Sequence, residues 1–517
     1  MKQLTFIKAV EKALDEHKKR CALVDDYGRR TFGQVRQDVE DACEFLSQRC
    51  EKGDAVAALT FSSAQAVVLE WATYKLRCTW IGIPWRERKP KNIVSILKAC
   101  RPKVFFLERA ALHTSDLQFL LKSSELSLRR QGKLQHLEYF GLSPHLQRRK
   151  VSFKIGDESI VRIRFTSGVS GEPKGIIYTQ KTQDAILKNI SRQLAFKENE
   201  VMIHGAPIAW ASGSLIAPVL CSGGCNVLRP KWNTEDFVES VRREQCTLTF
   251  LAPRMLSYLV TYSESHGSKW AKSLRRALLA GGPTPVITMR SAMNLLETVT
   301  FYTTLGMTEA SFPITWHEVD EADVQSNNQP YIPLQTLTSF YEKSKIDDSQ
   351  SKRRGRGELL VKGNAVAAGK WIWLNQNGKP RRTPIAEKFV RAAMRSGDIV
   401  ERKGKVLHYV CRKDESCLKQ NIYLAVDAVE ALLRDEDGVM EARIDSIVRT
   451  GKRARVDVTI QSTTGFVEKS LRRFFERRAS EANLKQIVLG TIRAGLVEKT
   501  STGKVIHNKS LCAADFS

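Results

Sequence analysis

Between Ile163 and Thr179 the chain reads IRFTSGVSGEPKGIIYT, and those residue types suit one kind of chemistry. A strand-period run, IVRIRF, opens into Thr166, Ser167, Gly168, Ser170, Gly171, Lys174 and Gly175. Glycines admit unusual backbone angles and let successive N–H groups converge on an oxyanion; hydroxyls add donors and a lysine adds the compensating charge. Such a loop can cradle phosphate. It is not a Walker A loop, which needs GxxxxGK followed by Ser or Thr, because Lys174 follows Pro173 and precedes Gly175. Taken alone, the segment also fits an ordinary Ser/Gly-rich connection.

The elements around it alternate in period. IKAVEKALDEHKKR has helical spacing, CALVDDYGRRTFGQVRQDVEDACEFLSQR reads as strand, turn and helix, DAVAALT is an apolar strand, and AQAVVLEWATYKL is helical. This alternation predicts an α/β fold with mixed, largely parallel sheets. From about 112 to 150 the pattern loosens into a basic stretch ending QRRK, expected to be a surface connection, and SKIDDSQSKRRGRG at 344–357 is expected to be a mobile loop. Near 396 the texture changes. SGDIVERKGKVLHYV reads as a hairpin around Lys403 and Gly404, followed by a helix-like VDAVEALLRDED and a strand-helix run, VDVTIQ then VEKSLRRFFERRAS. The expected organisation is a large N-terminal domain at 1–411 and a small, mobile α+β C-terminal domain at 412–517, hinged near Arg412 to Asp414.

The 517 residues correspond to roughly three domain-sized units, which excludes a short disulfide-stapled scaffold. With 42% hydrophobic and 27% charged residues, the composition is that of a globular chain, not a disordered or collagen-like one. Of the formal net charge of +26, +22 falls in residues 1–411. Such a field suits anionic partners, among them nucleotides, phosphopantetheine carriers, nucleic acid or a membrane surface. The 11 cysteines are scattered without a CxxC pair, and Cys221 with Cys225 has no second ligand pair nearby, so reduced thiols and no zinc site are expected. No signal peptide and no run of about 18 apolar residues stands out; a cytoplasmic chain with no membrane span is predicted.

FTSGVSGEPKG resembles the signature phosphate loop, [YF]TSGTTGxPKG, of the adenylate-forming superfamily: acyl-CoA synthetases, nonribosomal-peptide adenylation domains and firefly-luciferase-like enzymes. Further blocks follow in that family's order. AGGPTP from Ala280 resembles the segment that packs along adenine, LGMTE from Leu305 resembles YGxTE, and GELLVKGNAVAAGKW from Gly357 resembles GELxVxGxxVxxGYW. Ser396-Gly397-Asp398 resembles TGD, Arg412 to Glu415 the hinge GRxDD, and Thr500 to Lys504, TSTGK, the terminal loop that carries a catalytic lysine. The resemblance runs from about residue 20 to about 511.

The resemblance implies a division of labour that also makes chemical sense. Adenylation joins a carboxylate to the α-phosphate of ATP and expels pyrophosphate, so its transition state needs cations and donors, not a covalent nucleophile. Thr166, Ser167, Gly168, Ser170, Gly171 and Lys174 would hold the β- and γ-phosphates, Thr308 would touch the α-phosphate, and Glu309 would bind Mg²⁺. Gly281, Gly282, Pro283 and Leu305 would pack along adenine; Asp398 would accept the ribose hydroxyls with support from Arg412. Lys504 would bridge the reacting carboxylate and phosphate, and Asp414 would be the hinge.

Several residues depart from the family pattern. Leu305 replaces an aromatic ring on adenine, Val169 and Ser170 replace two threonines, Gln180 a histidine, Cys411 a glycine and Glu498 a proline. None removes a charged catalytic group. The acid pocket would include Trp210, Gly213 and Gly306. PIAWASG, Pro207 to Gly213, offers no carboxylate for an α-ammonium, which favours an aryl or aliphatic acid over an amino acid. Trp210 stands where many relatives have a histidine, and a core aromatic is an equal reading of it. The implied activity is ATP-dependent formation of acyl-AMP, then transfer to a thiol, either CoA or the pantetheine of an acyl or peptidyl carrier protein. Amide formation or retention of the adenylate is the alternative within the fold. From another class, the rival is a non-catalytic, basic nucleic-acid-binding scaffold, for which Lys174, Glu309, Asp398 and Lys504 have no use; no stable nucleic-acid partner is expected.

Overall fold

The computed structural model describes residues 5–497 apart from 85–89, 112, 124–125, 127, 143–150, 156, 167–173, 326–330, 350–353, 375–379, 389–392, 414–428, 431–432, 434–438, 451–452, 463–467 and 482–486. Its first sheet has nine strands in the order Thr336–Leu337, Thr315–Glu318, Thr300–Thr303, Arg276–Leu279, Leu248–Leu251, Val201–His204, Cys225–Leu228, Cys21–Asp25 and Gly28–Thr31. Pairing is parallel from Thr300–Thr303 through to Cys21–Asp25 and antiparallel at both margins. LTFL and CNVL are buried at every position, as strands covered on both faces must be.

The second sheet runs Pro380–Lys388, Gly369–Leu374, Lys174–Thr179, Glu158–Thr166, Thr79–Pro84, Ala55–Thr60, Val104–Leu107, Leu137–Gly141 and Arg129–Leu134, with Lys154–Ile155 beside Glu158–Thr166. Only its central four strands are parallel. Caps set the helices that cover these sheets. Thr31 and Gln34 form a capping box that starts Phe32–Ser47, and Ser63 accepts from Ala66 N–H to start Ala64–Lys75, which is buried along nearly its whole length.

Two expectations change. The 112–150 stretch is not a bare connection: it holds the helix Thr114–Lys122 and the hairpin formed by Arg129–Leu134 and Leu137–Gly141. The basic residues of RRQGKL sit on an exposed sheet edge, where charge opposes pairing with another chain. In the 344–357 stretch, Lys345–Asp347 pairs with Arg356–Val361, so the two ends of the expected loop are strands.

A third, antiparallel sheet joins those two strands to Met394–Lys403 and Val406–Arg412, with the expected hairpin turn at Gly404, φ +60°. The fourth comprises Val439–Thr450, Arg453–Ser462 and Ile487–Ala494. The helix Glu468–Glu481 packs Leu471 and Phe475 onto it, in a core with Ile444, Val458 and Leu489 that Tyr331 borders. This is the expected α+β texture. The helix-like VDAVEALLRDED lies largely outside the described residues. The nine described cysteines are free thiols, and no described helix is long and apolar enough to cross a membrane.

Candidate active site

Ligands of open α/β sheets bind beyond the carboxyl ends of parallel strands, and the segments singled out in the sequence lie there. In the first sheet, Val201–His204 runs into Pro207–Gly213, Arg276–Leu279 into Ala280–Pro285, and Thr300–Thr303 into Leu305–Glu309. Gly281 and Gly282 are exposed. In the second sheet, Glu158–Thr166 ends where the Ser/Gly-rich segment 167–173 starts, and Lys174, exposed, opens the returning strand in register with Thr166. Ser167, Gly168, Ser170 and Gly171 lie outside the described residues, as do Asp414 and Lys504.

The two groups of segments touch. The Ile208 N–H donates to Ser62 Oγ at 3.2 Å, and Pro207, Ile208 and Ala209 close a cavity with Thr60, Glu70 and Trp80. The turn that follows is tight: Trp210 N–H donates to Pro207 O at 3.1 Å and Gly213 N–H to Trp210 O at 3.2 Å. A Cβ on Gly213 would lie 1.9 Å from Ile208 O, and one on Gly306 would lie 2.5 Å from Phe312 Cβ, so both positions exclude a side chain. Trp210 is half-buried. The Leu305 N–H donates to Thr315 Oγ1 at 3.0 Å, and Glu309 O accepts from Ala367 N–H at 2.8 Å; Thr308 and Glu309 are half-buried.

Asp398 and Arg412 sit opposite one another in their hairpin. Arg412 Nη1 donates to the buried Asp398 Oδ1 at 2.8 Å and to Ser396 O at 3.0 Å. Beside them Glu358 accepts from Arg395 at 2.5 Å, Lys413 at 2.9 Å and the Gly397 N–H at 3.2 Å. Burial raises the Glu358 carboxyl, but those donors outweigh it and hold the group below the usual carboxylate range.

Two features were missed in the sequence. The first is a buried polar network. Arg162 Nη1 meets Glu70 at 2.8 Å, Tyr74 donates to the same carboxylate oxygen at 2.5 Å, and Gln183 donates to the Tyr74 hydroxyl at 3.3 Å. Arg164 Nη2 donates to Ser214 Oγ at 2.9 Å, and its guanidinium lies 5.3 Å from the Tyr178 ring centre. Tyr178, fully buried, donates to Thr308 O. Burial, then the neighbouring Arg162, pushes Arg164 down, whereas Glu70 and the tyrosines more than offset burial at Arg162. Burial pushes the Tyr178 phenol up, keeping it a donor. The signal was present in the alternation R-I-R within IVRIRF, which puts two arginines on one face of a strand.

The second is His204, wholly buried. Its Nε2 faces Asn226 Oδ1 and its Nδ1 faces Ser212 Oγ, each at 2.8 Å. Asn226 Nδ2 donates to Ile216 O at 3.4 Å, so its Oδ1 accepts and the imidazole proton sits on Nε2. Burial lowers the pKa to about 4 against the hydrogen bond to Asn226, which raises it. Below about pH 6.5 the unfolded imidazole takes up a proton that the folded one refuses until about pH 4. Stability contributed by neutral His204 is therefore complete above pH 6.5 and declines by about 3 kcal/mol as pH falls to 4. Denaturant titrations of His204→Gln should show a flatter acid limb than wild type; an unchanged slope would remove His204 as its source.

Residues 10–371 match the family model described as AMP-binding enzyme, well over half of the chain. The chain belongs to the AMP-binding enzyme family. As a member of the adenylate-forming superfamily it is, among curated relatives, 24% identical over 436 residues to 2-succinylbenzoate–CoA ligase of Bacillus pumilus, covering 83% of this chain and 82% of the relative. It is 21% identical over 383 residues to a plipastatin synthase from Bacillus subtilis, covering 69% of this chain but 15% of that protein. With 4-hydroxybenzoate–CoA/benzoate–CoA ligase of Rhodopseudomonas palustris the match is 24% over 56% of this chain and 51% of the relative. The chain thus spans about half or less of those last two relatives. The fold matches O-succinylbenzoate coenzyme A synthetase from Bacillus subtilis in complex with AMP, TM-score 0.73 and 16% identity over 96% of each chain. It also matches an amide bond synthetase from Marinactinospora thermotolerans, TM-score 0.70 and 18% identity over 97% of this chain and 98% of that one. In this AMP-binding enzyme no described group of three or more His, Cys, Asp or Glu is arranged to hold a metal ion.

Proposed function

We propose that this enzyme activates an aryl or aliphatic carboxylic acid with ATP, releasing pyrophosphate, and passes the acyl group from acyl-AMP to a thiol, CoA or a carrier-protein pantetheine. The observation that carries the reading is the convergence of three segments. The strand Glu158–Thr166 is bonded through Arg164 to Ser214, next to the acid-pocket turn, and its returning neighbour Lys174–Thr179 is bonded through Tyr178 to the Thr308 carbonyl, all at the carboxyl ends of two sheets. Thr166, Ser167, Gly168, Ser170, Gly171 and Lys174 bind the β- and γ-phosphates, Thr308 the α-phosphate, and Asp398 with Arg412 the ribose. The Glu309 carboxylate offers the hard oxygen donors that Mg²⁺ takes, on a backbone fixed from two sides; bound there, the ion would neutralise phosphate charge. Residues 1–411 form the binding domain and 412–517 the lid that brings Lys504 to the site, in the cytoplasm.

No carboxylate lies in Pro207–Gly213, and Glu70, which faces the adjoining cavity, is engaged by Arg162 and Tyr74. This supports a plain acid over an α-amino acid. The names of the benzoate and succinylbenzoate ligases agree with that class. Pyrophosphate exchange over a panel of aryl, fatty and amino acids tests the reading. Exchange with no acid would leave the basic scaffold.

A second reading, amide formation, has one sequence feature in its favour. Thioester-forming members run GRxDDxIKxxG after the hinge, whereas CRKDESCLKQN here puts Leu418 at the lysine position and Asn421 at the glycine position. An Asn side chain adds bulk where a thin pantetheine arm should pass. Slow acylation of free CoA is expected, and Asn421→Gly should raise it about tenfold, the rate equivalent of about 1.4 kcal/mol, without altering pyrophosphate exchange. Fast acylation by wild type, indifferent to that substitution, would mark an ordinary acyl-CoA ligase.

A further inference from the structure

Arg164 touches three parts of the site from beneath. It stands two residues before Thr166 on the strand that enters the phosphate loop, donates to Ser214 at the end of the acid-pocket turn, and lies over Tyr178, whose phenol holds the Thr308 carbonyl. Thr308 and Glu309 are therefore anchored from two directions, by Tyr178 at one carbonyl and by the Ala367 N–H at the next.

A buried guanidinium is costly, and the carboxylate of this network, Glu70, is spent on Arg162. Arg164 Nε has no acceptor among the described residues. What orients Arg164 is thus the Ser214 hydroxyl on one side and Tyr178, by its ring and its phenol oxygen, on the other. An arginine placed so lightly follows its partners: movement of the turn at Ser214 shifts the guanidinium, and the guanidinium shifts the ring that fixes Thr308. We infer that Arg164 is a positioning residue that relays the state of the acid-pocket turn, through Tyr178, to Thr308 and Glu309, so that the nucleotide side of the site is set by the acid side.

This inference rests on the adenylation reading, and the two can fail separately. The measurement is calorimetric binding of Mn²⁺ with the non-hydrolysable ATP analogue AMPCPP, in the absence of any acid, to wild type, Ser214→Ala, Tyr178→Phe and the double variant. Ser214 adjoins the acid-pocket turn, yet Ser214→Ala should weaken nucleotide binding about fivefold, the scale of one lost hydrogen bond. Tyr178→Phe should weaken it by a similar factor. The double variant should be no weaker than the worse single one, because both cut the same relay. Arg164→Met should match the double variant, and Arg164→Lys, which keeps charge and reach, should recover part of the loss. A nucleotide affinity untouched by Ser214→Ala, or single effects that multiply, would overturn the relay. If Arg164→Met does not fold, the Ser214–Tyr178 cycle decides alone. Failure of wild type to bind the nucleotide analogue would instead overturn the adenylation reading.

Discussion

Replacing Lys504 with alanine is expected to cut acid-dependent pyrophosphate exchange by about 10²- to 10³-fold while ATP binding stays measurable. The TSTGK loop belongs to the C-terminal segment, and in the proposed mechanism its cation would reach the reacting carboxylate only on closure of that segment. The negative charge that builds on the α-phosphate and the acid oxygen is greatest in the transition state, and a cation that arrives with closure acts there more than on bound ATP. The loss should therefore appear in the rate and not in nucleotide affinity. Wild-type exchange in the variant would remove Lys504 from the mechanism.

The second large effect is expected at Asp398. Its carboxylate is buried and already carries the Arg412 guanidinium at 2.8 Å, which leaves its other oxygen free of that contact for a ribose. On the proposed reading, Asp398→Ala removes the ribose acceptor, and it takes the carboxylate away from Arg412 at once. The loss in kcat/KM for ATP should be about 10²-fold, the size of two charge-assisted hydrogen bonds taken conservatively. Asp398→Asn, which keeps shape and one acceptor, should fall between. The decisive comparison is ATP against 2′-deoxy-ATP: wild type should prefer ATP, and Asp398→Ala should lose that preference. A preference that survives the substitution would place the ribose elsewhere.

How far such residues can be found from sequence depends on how local their cause is. Gly404 marks its hairpin because a turn needs a residue tolerant of positive φ, and Asp398 with Arg412 follows from that hairpin, since the strands it joins set them opposite each other. The helix Glu468–Glu481 shows in its own periodicity. RRQGKL hides as a strand because its charges are those of a solvated surface, and only the sheet edge beneath makes it regular. The alternation R-I-R puts Arg162 and Arg164 on one strand face, but that this face is buried cannot be read from the sequence, for a non-local reason. Their burial depends on Glu70, Ser214 and Tyr178, brought together by two sheets, and no window along the chain contains all of them. The order of the motif blocks named the chemistry, but not the polar layer that supports it.

The way the second sheet is assembled also bears on how the chain is made. The strand Lys174–Thr179, which follows the Ser/Gly-rich segment, is flanked on one side by Glu158–Thr166 and on the other by Gly369–Leu374. On a ribosome the first neighbour has already emerged when Lys174 appears; the second is still unsynthesised. At about 5–20 residues per second, roughly 10–40 s pass before it arrives. For that interval the apolar run Gly175-Ile176-Ile177-Tyr178 presents an unpaired edge. A nascent chain of this enzyme therefore has a defined interval of aggregation risk and of chaperone demand, closed when Gly369–Leu374 docks.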